Sequence, residues 1–217
     1  MPTIVITGND TGVGKTRVTA ALARELCAHG SVQVVKPVET GIVPGGQGDV
    51  AFAVAHAAGK VEGHTLLSFL EPMAPAAAAA LEGVALHMDD MLAKYRELPP
   101  ADFRLVEGAG GIASPLDAVG HDLRDFAMEV RADFIIAVIE DRLGAINQAR
   151  LAYAYASASR IPVVLWLNEV TPQTDAIRIS NREGLTASGL HLCAELGNGA
   201  DAPQWFAQPW LEVNKTQ

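Results

Sequence analysis

Two hydrophobic patterns alternate along this chain. Short runs rich in Val, Ile, Leu and Phe occupy residues 3–7, 32–36, 103–107, 134–139 and 163–167. Each is bounded by Gly, Pro or polar residues, as strands covered on both faces of a parallel sheet are. Between them, residues 16–28, 49–58, 88–96 and 145–159 have helix-forming composition with an apolar face. Strand and helix in alternation predict an α/β fold, a doubly wound and mainly parallel sheet with helices on both faces and right-handed crossovers. Such sheets bind ligands just beyond the carboxyl ends of their strands. The loops that follow the strands are therefore where chemistry is expected.

Composition narrows this picture. The chain has 217 residues, 49% of them hydrophobic and 19% charged. That suits one domain spanning residues 1–217, with the stretch 197–217 the hardest to place. The formal net charge of −9 argues against partners that need a basic face, namely nucleic acid and anionic membrane. Cys27 and Cys193 lie far apart without a Cys-x-x-Cys or a histidine pair nearby. They read as buried filler in a helix and a terminal strand, not as a disulfide or zinc site. The six histidines show no metal spacing either. Pro2-Thr3-Ile4-Val5-Ile6-Thr7 lacks the basic segment and longer apolar run of a signal peptide. No stretch approaches the ~20 uncharged apolar residues of a membrane span, so a soluble, cytoplasmic setting is expected.

The strongest chemical signal is Gly8-Asn9-Asp10-Thr11-Gly12-Val13-Gly14-Lys15-Thr16, which follows the first predicted strand and opens the first helix. In that context backbone N–H groups and the helix N-terminus face phosphate oxygens. The run reads as a P-loop one residue longer than usual, with Lys15 reaching the β- and γ-phosphates of ATP and the Thr16 hydroxyl facing Mg²⁺. Expected nucleotide contacts are Asp10, Thr11, Gly12, Val13, Gly14, Lys15, Thr16 and Arg17.

Two further strand ends narrow the reaction. The second strand runs into Lys36-Pro37-Val38-Glu39-Thr40-Gly41, where Pro37 biases Lys36 toward an extended conformation. Two ammonium groups around one phosphate suit phosphoryl transfer, in which positioning and charge stabilisation dominate. The third strand ends in Val106-Glu107-Gly108-Ala109-Gly110-Gly111, a carboxylate followed by residues that allow close backbone approach. Glu107 suits one place in an octahedral oxygen shell around Mg²⁺, with Thr16 another. Asp49 fits either a second carboxylate of that shell or the cap of the helix it opens. Residues 41–48, rich in Gly and Pro, read as a loop able to close over a ligand, or as a passive connection.

With these residues in place, the chain resembles the dethiobiotin synthetases. The likeness runs to about Pro172. It rests on the lengthened P-loop, the Lys36–Gly41 and Val106–Gly111 segments, Glu71-Pro72-Met73-Ala74-Pro75, Pro115-Leu116, Leu143-Gly144-Ala145-Ile146-Asn147 and Asn168-Glu169-Val170. The resemblance implies a Mg²⁺- and ATP-dependent ligase of biotin biosynthesis that joins CO₂ or bicarbonate to 7,8-diaminononanoate. A carbamate would form, be phosphorylated, and close to a cyclic urea. It implies catalytic roles for Lys15, Lys36 and Thr11, and diamine contacts from Lys36, Thr40 and the backbone of Gly108, Ala109, Gly110 and Gly111. It further implies a homodimer in which Leu143, Gly144 and Asn147, at a helix start, meet the substrate carboxylate of the partner. Asn168 resembles the family's adenine-reading amide, although a turn-forming Asn is the plain alternative. Gly12 replaces an acidic residue of some members, and Leu196-Gly197-Asn198-Gly199 departs from the family's pattern near the last strand.

Two competing functions share the P-loop architecture. A cobyrinate diamide synthetase-like ligase also activates a carboxyl group, but normally carries a glutaminase domain for which this chain has no length. A partitioning or switch ATPase usually has a second lysine early in the P-loop, where Asn9 and Asp10 stand here.

Overall fold

Strand β1 (Thr3–Gly8) runs straight into the phosphate loop, and helix α1 (Lys15–Leu26) carries the chain back across the sheet. Then come β2 (Val32–Lys36), β3 (Glu39–Thr40), α2 (Asp49–Ala57), β4 (Val61–Thr65), β5 (Ser68–Phe69), α3 (Pro75–Leu81) and α4 (Met88–Arg96). The second half adds β6 (Phe103–Glu107), α5 (Leu123–Glu129), β7 (Phe134–Glu140), α6 (Ala145–Ser157), β8 (Val163–Asn168) and α7 (Asp175–Ala187). The chain finishes with β9 (Leu192–Leu196), β10 (Gln204–Trp205) and α8 (Trp210–Val213). This computed structural model describes residues 1–42, 45–57, 59–200 and 202–213.

Eight strands form the main sheet in the order β10-β9-β8-β7-β1-β6-β2-β4, while β3 and β5 pair separately. All main-sheet pairings are parallel except β10 on β9. The doubly wound, mainly parallel sheet read from the sequence is therefore what forms. Strands β1, β2, β6 and β8 are buried at every position, which is why their sequences read as apolar runs.

Side-chain alternation divides the core into two faces. On β1, Ile4 and Ile6 join a cluster with Val18 and Leu22 of α1 and Val50 and Ala53 of α2. Val5 points the other way, into a cluster with Met91 and Leu92 of α4 and Phe126 of α5. Leu165 and Leu167 of β8 meet Ala145 and Ala149 of α6 in a third group.

The expected helix at 16–28 stops at Leu26, and Cys27 is its half-buried C-cap, so only Cys193 is the buried filler expected of both. The helix expected over 49–58 is described through Ala57, and residue 58 lies outside the described residues. Several elements had no apolar run to announce them. Edge strand β4 is mostly exposed or half-buried, and α5 is set by a capping box in which Asp122 accepts from Arg124 N and Asp125 N.

The tail docks. Trp205 packs edge-on against Trp166 and Trp210, with ring centroids 5.1 and 5.9 Å apart. Trp166 and Trp210 are fully buried. A buried ring of that size holds its segment by on the order of 3–5 kcal/mol. Residues 214–217, at the end of the stretch hardest to place from sequence, lie outside the described residues, as do residues 43 and 44 of the loop read as either closing over a ligand or passively connecting.

Candidate active site

Strand register brings the charged residues together. Ile6 stands opposite Glu107 on β6, and Val35 of β2 opposite Val106. Lys36 and Glu107 therefore emerge side by side at the carboxyl edge, next to the phosphate loop. The Lys36 ammonium donates to Glu107 Oε1 at 3.1 Å and also to Asp49 Oδ2. The Thr16 hydroxyl donates to the same Glu107 Oε1 at 2.8 Å. Lys15 donates to the backbone carbonyl of Asp10 at 2.9 Å, inside the loop that would surround a phosphate.

These groups are withdrawn from water: Lys15 is 7% exposed, Lys36 4% and Glu107 1%. Burial pushes the Lys15 pKa down to about 8, with Glu107 partly offsetting it and Lys36 adding to it. Burial also works against Lys36, but the carboxylates of Glu107 and Asp49 outweigh it and raise Lys36 above the usual lysine value. Lys36 is thus a fixed cation, whereas Lys15 begins to lose its proton just above neutral pH. A polyanion would complete its surroundings.

The loop's shape depends on Gly14, the N-cap of α1, which sits at φ 89°. A Cβ there would lie 2.0 Å from Asn168 Nδ2. That nitrogen donates to Val13 O at 2.8 Å, while Oδ1 has no partner. Asn168 is fully buried, pressed against the loop at the carboxyl end of β8.

A cleft of about 410 Å³ opens above these groups. Thr11, Lys36, Thr40, Asp49, Ala109 and Gly110, all singled out in the sequence, line it together. Gly108 is buried, and the Gly111 N–H donates to Ser114 Oγ at 3.0 Å. Pro72, Pro75 and Ser114 also line the cleft; of these, the two prolines belong to a segment the resemblance had marked without a role. Leu143, Gly144 and Asn147 stand apart from the cleft. They are exposed at the start of α6, with Leu143 80% exposed.

A second cavity of about 540 Å³ lies on the other side of the phosphate loop, lined by Gly12, Gly14, Arg17, Phe52, Leu196 and Asn198. Arg17 donates to the carbonyl of Gly197 at 3.1 Å, tying α1 to the segment after β9. Glu169 secures the same segment by accepting from Asn198 N at 2.8 Å. Neither tie has a local sequence signal, because each joins residues far apart in the chain.

The donor set suits a hard cation. Glu107 Oε2 is buried without a partner, while its Oε1 receives the Thr16 hydroxyl and the Lys36 ammonium, which also meets the Asp49 carboxylate. Among the described residues no group of three or more His, Cys, Asp or Glu forms a self-sufficient metal site.

The sheet order and the strand–glycine loop–helix unit at its centre define a P-loop NTPase. A family model described as an AAA domain matches residues 2–191. The chain is 35% identical to the ATP-dependent dethiobiotin synthetase BioD of Rhodococcus erythropolis, covering 100% of this chain and 98% of that protein. The enzyme of the same name from Rhodococcus jostii is 34% identical, with 100% of both covered. This chain belongs to the ATP-dependent dethiobiotin synthetase family. Among solved structures, a plasmid partition protein from Borrelia burgdorferi superposes with TM-score 0.60 at 11% identity, covering 91% of this chain and 90% of that one. The MinD cell division protein of Aquifex aeolicus gives 0.53 at 12%, covering 91% and 82%. At such identities these two share the fold alone.

Proposed function

We propose that this chain forms dethiobiotin from 7,8-diaminononanoate, CO₂ and ATP, releasing ADP and phosphate, and that all 217 residues work as one cytoplasmic unit. The observation that carries the reading is Lys36, a buried ammonium lining the cleft, separated in the sheet only by β6 from β1 and the phosphate loop that holds Lys15. One amine of the diamine adds to CO₂ and loses a proton, giving a carbamate. A carbamate oxygen attacks the γ-phosphorus and ADP departs. The second amine then attacks the carbonyl carbon, phosphate leaves with the bonding electrons and takes up the proton the amine gives up, and the ring closes.

Each residue's part follows from its charge and place. Lys36 and the Thr11 and Thr40 hydroxyls would hold the carbamate oxygens. Lys15 would stay with the transferring phosphoryl group, where fixed charge is most effective. Asp10, Gly12, Val13, Gly14 and Arg17 would surround the nucleotide, and the cavity beside Arg17 would take its base. Asn168 lies at the boundary of that region and would contribute its unpartnered Oδ1. The backbone of Gly108, Ala109, Gly110 and Gly111 would border the diamine. Thr16, Asp49 and Glu107 would hold Mg²⁺, which supplies charge neutralisation at the phosphates when bound. Leu143, Gly144 and Asn147, exposed at the start of a 13-residue helix, would serve the substrate carboxylate of a second subunit, since a helix N-terminus favours an anion.

The test is ADP release by the purified protein with ATP, Mg²⁺ and bicarbonate, with and without the diamine, and with the product weighed by mass spectrometry. Diamine-dependent release with a cyclic urea product is expected. Release indifferent to the diamine would end the substrate reading.

Lys15 gives the reading a pH signature. Its ligand-free pKa is about 8 against an ordinary 10.5, and phosphate binding needs the ammonium. Below pH 8 the proton is already in place. From pH 8 toward 10.5 the free protein must take one up as ATP enters, so affinity should fall by up to about tenfold per pH unit. Calorimetry in buffers of different ionisation enthalpy should show proton uptake approaching one. An affinity flat from pH 7 to 10 would remove Lys15 from the phosphate site. Folding carries the opposite signature. The lowered pKa makes the buried charge a cost that is fully present below pH 8 and relieved as pH rises through this window.

A further inference from the structure

Glu39 is a buried carboxylate, 5% exposed, that the chemistry above does not use. It lies on β3, which is pinned by Glu39↔Ser68 pairing and by Glu39 N donating to Leu67 O at 2.9 Å. Its two oxygens serve different partners. Oε1 accepts from the backbone N–H of Asp49, and Oε2 accepts from the Thr65 hydroxyl at 3.2 Å. The approach is close: a Cβ on Gly48 would lie 2.7 Å from Oε2 and 2.9 Å from Oε1, so a side chain there would push the Glu39 carboxylate aside.

Asp49 is the first residue of α2, where backbone N–H groups have no partner inside the helix. Glu39 supplies that partner from another element. The Asp49 side chain has only two torsions, so where its backbone is held decides where its carboxylate reaches. At present that is the Lys36 ammonium, which Glu107 shares.

We propose that Glu39 is a positioning residue: by holding the Asp49 amide it keeps the Asp49 carboxylate in register with Glu107 and Thr16 for a divalent cation. This rests on reading Asp49 as a cation ligand. What matters is the placement of an acceptor oxygen and not the charge of Glu39.

Two variants separate placement from charge. Glu39→Gln keeps the length and an acceptor oxygen for Asp49 N, and its amide can donate to the Thr65 oxygen. Glu39→Asp keeps the charge but withdraws the acceptor by one methylene. Mn²⁺ is titrated into each full-length protein saturated with a non-hydrolysable ATP analogue, and free Mn²⁺ is read by electron paramagnetic resonance. Glu39→Gln should bind within about twofold of the parent, and Glu39→Asp about tenfold more weakly, as for other groups that orient metal ligands. Analogue affinity in EDTA should be the same in all three proteins. Amide exchange at the start of α2 in metal-free protein should quicken in Glu39→Asp and not in Glu39→Gln.

Equal weakening in both variants, or none in Glu39→Asp, would overturn the proposal. Asp49→Asn is measured alongside. If it leaves Mn²⁺ affinity unchanged, Asp49 is no ligand and the reading beneath the proposal fails. If it weakens Mn²⁺ while Glu39→Asp does not, the positioning role alone fails.

Discussion

Lys36→Ala should slow synthesis by about 10²–10³-fold while leaving ATP affinity within about threefold of the parent, because removing one preorganised donor from a reacting centre costs that much. The asymmetry comes from where the two lysines point. Lys15 bonds within the phosphate loop, at the Asp10 carbonyl. Lys36 bonds across the strand ends to Glu107 and Asp49 and lines the cleft. The substitution should also leave a mark without substrate. Glu107, 1% exposed, loses the ammonium that balances it, and an uncompensated buried charge costs roughly 3–5 kcal/mol. Metal-free Lys36→Ala should therefore melt well below the parent, and Mg²⁺ should recover much of the difference. Steady-state rates with product mass, together with melting in EDTA and in Mg²⁺, check both statements. A loss of ATP affinity matching the loss of synthesis would dissolve the division of labour between the lysines.

Gly14→Ala should abolish nucleotide binding more completely than its size suggests. Two penalties meet there. At φ 89° an L side chain costs roughly 1–2 kcal/mol, and the new Cβ would sit 2.0 Å from Asn168 Nδ2. Asn168 cannot yield without giving up its bond to Val13 O, which holds the loop. ATP affinity should drop by at least about 100-fold, the equivalent of ~2.7 kcal/mol. Gly12→Ala is the natural comparison: its φ is 79°, but a Cβ there meets nothing within 4 Å. It should lose less, because it carries the conformational cost without the clash on Asn168. Equilibrium ATP binding by the two proteins decides the matter, and equal losses would mean that the Asn168 contact contributes nothing. A Gly14→Ala, Asn168→Ala pair should recover part of the affinity.

What the sequence made legible follows a physical line. Strands β1, β2, β6, β7 and β8 are covered on both faces, so each had to be an apolar run, and each was readable to within a residue at its ends. Strand β4 lies at the sheet edge and mixes Glu62, Gly63 and His64, a pattern indistinguishable from loop. Helix α3 is almost all alanine, so no apolar face stood out. In the site, Lys15, Thr16, Lys36 and Glu107 were legible because each directly follows or ends a buried strand or opens a helix. Glu39 was visible only as a letter in a motif, since its partner is a backbone N–H ten residues later. The ties of Arg17 and Glu169 to the segment after β9 span more distance still. Asp141 likewise accepts from Asn181 Nδ2 at 2.6 Å, forty residues on, whereas its neighbour Arg142 pairs locally with Glu140 at 3.0 Å.

The strand that leads into the phosphate loop is made well before either of the strands it pairs with. Thr3 pairs with Arg104, and Ile4 with Phe134, so one edge of β1 stays open until β6 is made and the other until β7 follows. Pairings so distant in sequence slow folding, because loop closure must precede any gain from contact. Until then the segment Thr3–Gly8, apolar and free of charge, is an open template for association with other chains. Nascent protein is thus vulnerable to aggregation through the very strand that delivers its nucleotide site, and yield should depend on the pace of translation across β6 and β7.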